Sequence, residues 1–204
     1  MAQAATKPKK REITRARVIQ AAIDRIYHDG FHAAHTNRIA AQADVSWGVL
    51  QYHFGDKDGL LQAVLDHNFA DFAAHLGAFE PGTTGLRQRI DALINLIWSL
   101  VSKPEYRVSV AILRNAGYSP DSNVDGIRQM DQWAKEIARV WDQLFKDIAI
   151  TAVRSHSARR LMFASLRGFA DELNPSGRTR KSQLTPEFVA LGDAMHHLLT
   201  YPEE

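Results

Sequence analysis

Residues 36–57, TNRIAAQADVSWGVLQYHFGDK, constrain the fold more than any other stretch of the chain. Ile39, Ala40 and Ala43 recur at helical spacing and give a small apolar face. Asp44-Val45-Ser46 breaks that pattern, and Val49, Leu50 and Phe54 then supply a second inward face. Thr36 and Ser46 each carry a side-chain oxygen suited to capping a helix start. Two helices this short cannot stand alone, because nucleation is costly and each has only a narrow stripe to bury. They must rest on neighbours, with Trp47, Gly48, Gln51, Tyr52 and His53 left on the outside. A helix-turn-helix that lays its second helix in a DNA major groove fits this pattern.

The flanks supply the neighbours. A helix is expected over about 14–28, where Ile19, Ala22, Ile23, Ile26 and Tyr27 form a wide stripe. Gly30 is its expected stop, in a backbone region closed to most side chains. After Phe54, Gly55-Asp56 makes a turn and caps a helix that begins near Lys57. Leu60, Leu61, Val64, Leu65, Phe69 and Phe72 keep the helical period to about Leu76. His28, His32 and His35 have spacings that could ligate a metal on one helix, but Gly30 interrupts that helix, and no metal site is expected.

The run Gly30-Phe31, Thr36, Ile39-Ala40, Ala43, Val45-Ser46, Gly48, Leu50, Tyr52-His53-Phe54, Lys57, Leu60-Leu61 resembles the DNA-binding domain of the TetR family of bacterial transcriptional regulators. Order and spacing match over roughly the first third of the chain. Asp44 stands where that family often has Gly, Gln51 where it often has Tyr, and His35 where it often has Thr. Asp tolerates the left-handed backbone that such a turn needs. The resemblance implies DNA contacts from Thr36, Asn37, Arg38, Trp47, Gly48, Val49, Gln51, Tyr52, His53 and Lys57. Gln51 and Asn37 are the expected base readers, since an amide can pair with adenine through two hydrogen bonds. Tyr52, His53 and Lys57 are expected on phosphates, Val49 against a thymine methyl or packed inside.

Charge distribution supports this end as the polyanion-binding one. Of the chain's 25 Lys/Arg and 23 Asp/Glu, nine and six fall in residues 1–60, most sharply in 7–17. A basic arm over 1–12 can add phosphate contacts, and 13–60 is expected to form the DNA-binding domain. There is no cysteine, so neither disulfides nor thiolate metal sites arise. The N-terminus lacks an apolar secretory core, and the apolar run at 92–101 is too short to span a bilayer. A cytoplasmic protein with no membrane association is expected.

Residues 61–204 are expected to form a larger helical domain for effector binding and dimerisation, making the chain all-α. Past a break at 77–85, helices are expected near 86–102, 104–116, 123–150, 155–174 and 186–200, with a polar loop at 175–183. No Gly-rich phosphate loop or defensible catalytic set is present, so neither an enzyme nor a cofactor is expected. Trp98, Tyr106, Ile112, Leu113, Trp133, Trp141, Phe145 and Phe163 suit a bundle core. The resemblance implies a ligand pocket among the middle helices, with Asn95, Tyr106, Arg114, Asn115 and Trp133 as candidate polar anchors. It also implies a homodimer through the last two helices, and so a palindromic operator in double-stranded DNA.

The function expected is a dimeric repressor released from its operator by a small lipophilic effector. Activation through the same parts stays open. So does an effector-independent DNA binder, whose C-terminal domain would have a filled core.

Overall fold

The structure, a computed structural model, describes residues 10–80, 85–117, 119–172 and 185–201. The arm residues 1–9, the Pro81-Gly82 break, Tyr118 and the 175–183 loop lie outside the described residues. Regular structure among the described residues is all helical. The helices are α1 (Lys10–Asp29), α2 (Thr36–Gln42), α3 (Trp47–Phe54), α4 (Lys57–Gly77), α5 (Leu86–Val101), α6 (Pro104–Asn115), α7 (Gly126–Leu144), α8 (Ala152–Glu172) and α9 (Thr185–Thr200). None is long and apolar enough to cross a membrane. The chain forms two compact units, Met1–Asn68 with Val108–Ile127, and Phe69–Arg107 with Arg128–Glu204.

In the first unit, α1 buries Val18, Ile19, Ala22, Ile23 and Ile26, and α2 and α3 add Ile39, Ala40 and Leu50. Gly30 ends α1 at φ 85° with its N–H on the Ile26 carbonyl. The turn between α2 and α3 holds Asp44 at φ 49°, the left-handed position that the sequence places there. Asp44 N–H donates to Ala41 O and Val45 N–H to Ala40 O, so the last carbonyls of α2 are satisfied by the turn itself. Ser46 then caps α3, its Oγ accepting from Val49 N at 3.3 Å. Thr36 does not cap α2 as its residue type suggests. His35 occupies that position in extended conformation without a side-chain bond, and Thr36 is the first helical residue.

α7 is shorter at both ends than the periodicity over 123–150 predicts, and both reasons are long-range. At its start, the Asp58 carboxylate accepts from Ser122 Oγ at 3.0 Å and Asn123 N at 2.7 Å. Gln62 Oε1 accepts from Asp125 N at 3.0 Å. These bonds hold 122–125 in a loop against α4. Gly126 can begin the helix because it abuts Gly117, whose carbonyl a Cβ would meet at 2.4 Å. At its end, Arg89 donates to Leu144 O at 2.8 Å and grips Asp147 at 2.6 and 3.0 Å, closing the helix at Leu144.

In the second unit, α5 packs against α8 and α9, which also pack on each other. Ile90, Leu93, Ile94 and Ile97 of α5 meet a core that includes Met162, Leu166, Met195 and Leu199. Trp141 is buried with its indole N–H on Ser155 Oγ at 2.9 Å.

Candidate nucleic-acid interface and ligand cavity

α3 has one face inside and one outside. Leu50 is buried, Val49, His53 and Phe54 are half-buried, and Trp47, Gly48, Gln51 and Tyr52 are exposed. Trp47 exposes 53% of its surface and Tyr52 71%, large values for aromatic residues that burial would favour. Thr36 is half-buried at the start of α2, with Asn37 and Arg38 exposed beside it. Of the residues singled out in α3, Trp47, Gly48, Gln51 and Tyr52 therefore share the outer face, while Val49 and His53 turn towards the inner side.

Two arginines of α1 border this face. The Arg11 guanidinium lies 5.6 Å from the Tyr52 ring centre and that of Arg15 5.5 Å from the Phe54 ring centre. Lys57 sits with its ammonium 5.1 Å from the Phe31 ring centre. Arg17 donates to the Asp44 carbonyl at 3.2 Å, tying α1 to the turn. The positive excess at 7–17 was visible in the sequence, but the pairing of Arg11 and Arg15 with α3 was not. It depends on how α1 packs.

His53 has an enclosed Nδ1 with no hydrogen-bond partner. Burial first, then the charges of Arg11 and Arg15, lower its pKa from the ordinary 6.5. Because the folded value is the lower one, the unfolded chain takes up this proton first as pH falls. Stability from this site is complete above 6.5 and is lost as pH drops below it towards the folded value. Thermal melting of wild type and His53→Asn from about pH 7 to about pH 5 should therefore give a steeper decline for wild type. Parallel curves would exclude His53 as a source of the pH dependence.

The second unit contains a cleft of about 410 Å³. Its apolar wall includes Phe72 of α4, Tyr106 of α6 and Met130, Trp133 and Ile137 of α7. The rings are layered: Trp133 stacks on Phe72 at 5.4 Å and 5°, and on Tyr106 at 5.3 Å and 26°. The opposite wall is α8, which contributes His156, Arg159, Arg160, Phe163, Ala164 and Arg167. Of the anchors expected from sequence, Tyr106 and Trp133 line this cleft. Asn95 lies in a separate depression with Arg87 and Phe188, its amide donating to Asp91 O at 2.8 Å. Arg114 and Asn115 are exposed on α6 in the first unit and line neither. The cationic side of the cleft escaped the sequence reading, because arginines at helical spacing look like a solvated face.

A helix-turn-helix with an exposed second helix and a cationic border gives the first unit the arrangement seen in helical DNA-binding modules. Residues 18–64 match the family model described as bacterial regulatory proteins, tetR family. Over this region the chain is similar to that family. It is 41% identical over 61 residues to the HTH-type transcriptional regulator BetI of Paraburkholderia phytofirmans, covering 30% of this chain and 31% of that protein. It is 30% identical over 113 residues to BetI of Burkholderia mallei, covering 54% and 58%. The chain thus spans between about a third and three fifths of these relatives. Salmonella enterica GusR has the same fold, with a TM-score of 0.71 at 22% identity over 95% of this chain and 99% of that one.

Proposed function

We propose that the chain is a dimeric transcriptional repressor that binds a palindromic operator and is released by a small lipophilic effector. The observation that carries the DNA-binding part is the outer face of α3, where Trp47, Gly48, Gln51 and Tyr52 stand exposed, with Arg11 beside Tyr52 and Arg15 beside Phe54. Gln51 reads a base edge, and Asn37 reaches a second from α2. Thr36, Arg38, Tyr52 and Lys57, with His53 at the edge, contact phosphates and set register. Arg11 and Arg15 join them, since phosphate neutralisation supplies much of the affinity.

The stacked wall of Phe72, Tyr106 and Trp133 supports an effector site, being apolar and of the size small-molecule sites have. An effector-independent binder would have filled this space. Dimerisation uses α8 and α9, where Leu161, Gly168 and Val189 are exposed and no side chain lies within 4 Å of an added Gly168 Cβ. Effector binding releases DNA to the extent that the ligand favours a state with altered spacing of the two α3 helices. The same parts would serve an activator.

The test is titration of labelled genomic fragments flanking the gene, with wild type and Gln51→Ala, at two salt concentrations. Selective, salt-sensitive binding to a palindrome is expected, with about tenfold weaker binding by the variant and an unchanged melting temperature. Equal binding to every fragment would remove the specific-regulator reading.

A further inference from the structure

We propose that the cleft selects an acidic amphiphile: an apolar body laid against Met130, Ile137 and Phe163, with one anionic group held by Arg160 and Arg167. This rests on reading the cleft as the effector site and adds the chemical class of its ligand. Three arginines and one histidine line it, and among the described residues no carboxylate does. His156, Arg160, Phe163 and Arg167 follow one another at four, three and four residues, so they form one stripe along α8 facing the cleft.

The three arginines are not equivalent. Arg159 is engaged: it lies 3.3 Å from His156 Nδ1, to which it donates, and 3.8 Å from Asp142. Arg160 and Arg167 have no hydrogen bond or ion pair among the described residues. Both are exposed at the mouth, so each keeps its charge in water while its stem borders the apolar wall. An anion placed between them gains two charge-assisted donors, and guanidinium groups suit carboxylate, sulfonate or phosphate oxygens geometrically. A cationic ligand would meet like charge at Arg160 and Arg167, and Asp142, an acid beside the arginines, is turned to Arg159. Met130, Ile137 and Phe163, half-buried in the cleft wall, provide the apolar surface for the rest of the molecule, backed by the buried stack of Trp133 with Phe72 and Tyr106.

Two fluorescent probes sharing one ring system separate the charge from the body: anilinonaphthalene sulfonate and neutral phenylnaphthylamine. Each is titrated into the full chain as wild type and as the Arg160→Gln/Arg167→Gln double variant, below the melting transition and at two salt concentrations. Wild type should bind the sulfonate at one site per chain, about tenfold more tightly than the neutral probe, with the difference shrinking in salt. The double variant should lose about tenfold for the sulfonate and change less than twofold for the neutral probe. Equal affinities in wild type, equal losses for both probes, or binding of the neutral probe alone would overturn the acidic-ligand inference and leave the cleft as an apolar effector site. Binding of neither probe would overturn both.

Discussion

Gly59→Ala should lower the unfolding free energy by about 3 kcal/mol, the upper end of ordinary overpacking costs. A Cβ at this position would lie 2.0 Å from the Phe54 carbonyl oxygen and 3.1 Å from its carbon. Those are backbone atoms, so no rotamer change relieves the overlap. The surrounding turn is also fixed. Asp56 Oδ1 accepts from Gly59 N at 2.7 Å to cap α4, and Gly55, at φ 78°, closes α3 with its N–H on Gln51 O. Relief requires moving the end of α3 away from the start of α4, which breaks that cap. For a chain of this size the loss corresponds to a fall of about 6–12 °C in melting temperature. Gly48→Ala is the control: a Cβ there would meet only Ser46 Oγ at 3.9 Å, so it should stabilise α3 by about 0.5–1 kcal/mol. Denaturant melts of the two variants should move in opposite directions. A Gly59→Ala variant as stable as wild type would mean that the α3–α4 turn yields easily.

This contrast marks what local sequence carries. The helix-turn-helix was legible because its determinants lie within a few residues of what they control. Ser46 caps α3, Asp44 takes the left-handed turn position, and Gly30 stops α1. Residue type alone therefore indicates the backbone state. The limits of α7 were not legible, because Asp58 acts on Asn123 across 65 residues and Arg89 on Asp147 across 58. Periodicity continues through both ends of that helix, and only tertiary bonds cut it short. The cleft lies between these cases. Tyr106 and Trp133 were among the anchors that the resemblance implied, whereas Arg160 and Arg167 acquire meaning only when α8 is set beside the stacked rings. Thr36 shows that even local signals can miss by one position. A good cap residue sits one place inside the helix, and His35, with no cap bond, occupies the boundary.

Gly48→Ala should separate folding from DNA binding. Glycine inside a helix costs about 0.5–1 kcal/mol relative to alanine, a cost usually traced to a neighbour that needs the space. Gly59 and Gly126 have such neighbours, but Gly48 does not. A Cβ there would meet only Ser46 Oγ at 3.9 Å, an ordinary contact, on the exposed side of α3. Nothing in the described chain therefore demands glycine at this position, and alanine should stabilise the first unit by about 0.5–1 kcal/mol. What glycine provides is an approach surface with no side chain, flanked by Trp47, Gln51 and Tyr52 and close to the cationic border. If the sugar-phosphate backbone of a duplex rests there, one added methyl lifts the whole face and weakens every contact around it together. The expected loss in operator affinity is about a hundredfold, near 2.7 kcal/mol, larger than for Gln51→Ala because register itself is disturbed. Melting curves and operator titrations on the same preparation give both readouts. A more stable variant that binds weakly assigns Gly48 to the interface. Unchanged binding would place the DNA elsewhere on this unit, and a loss of stability would mean the space beside Gly48 is needed by the fold after all.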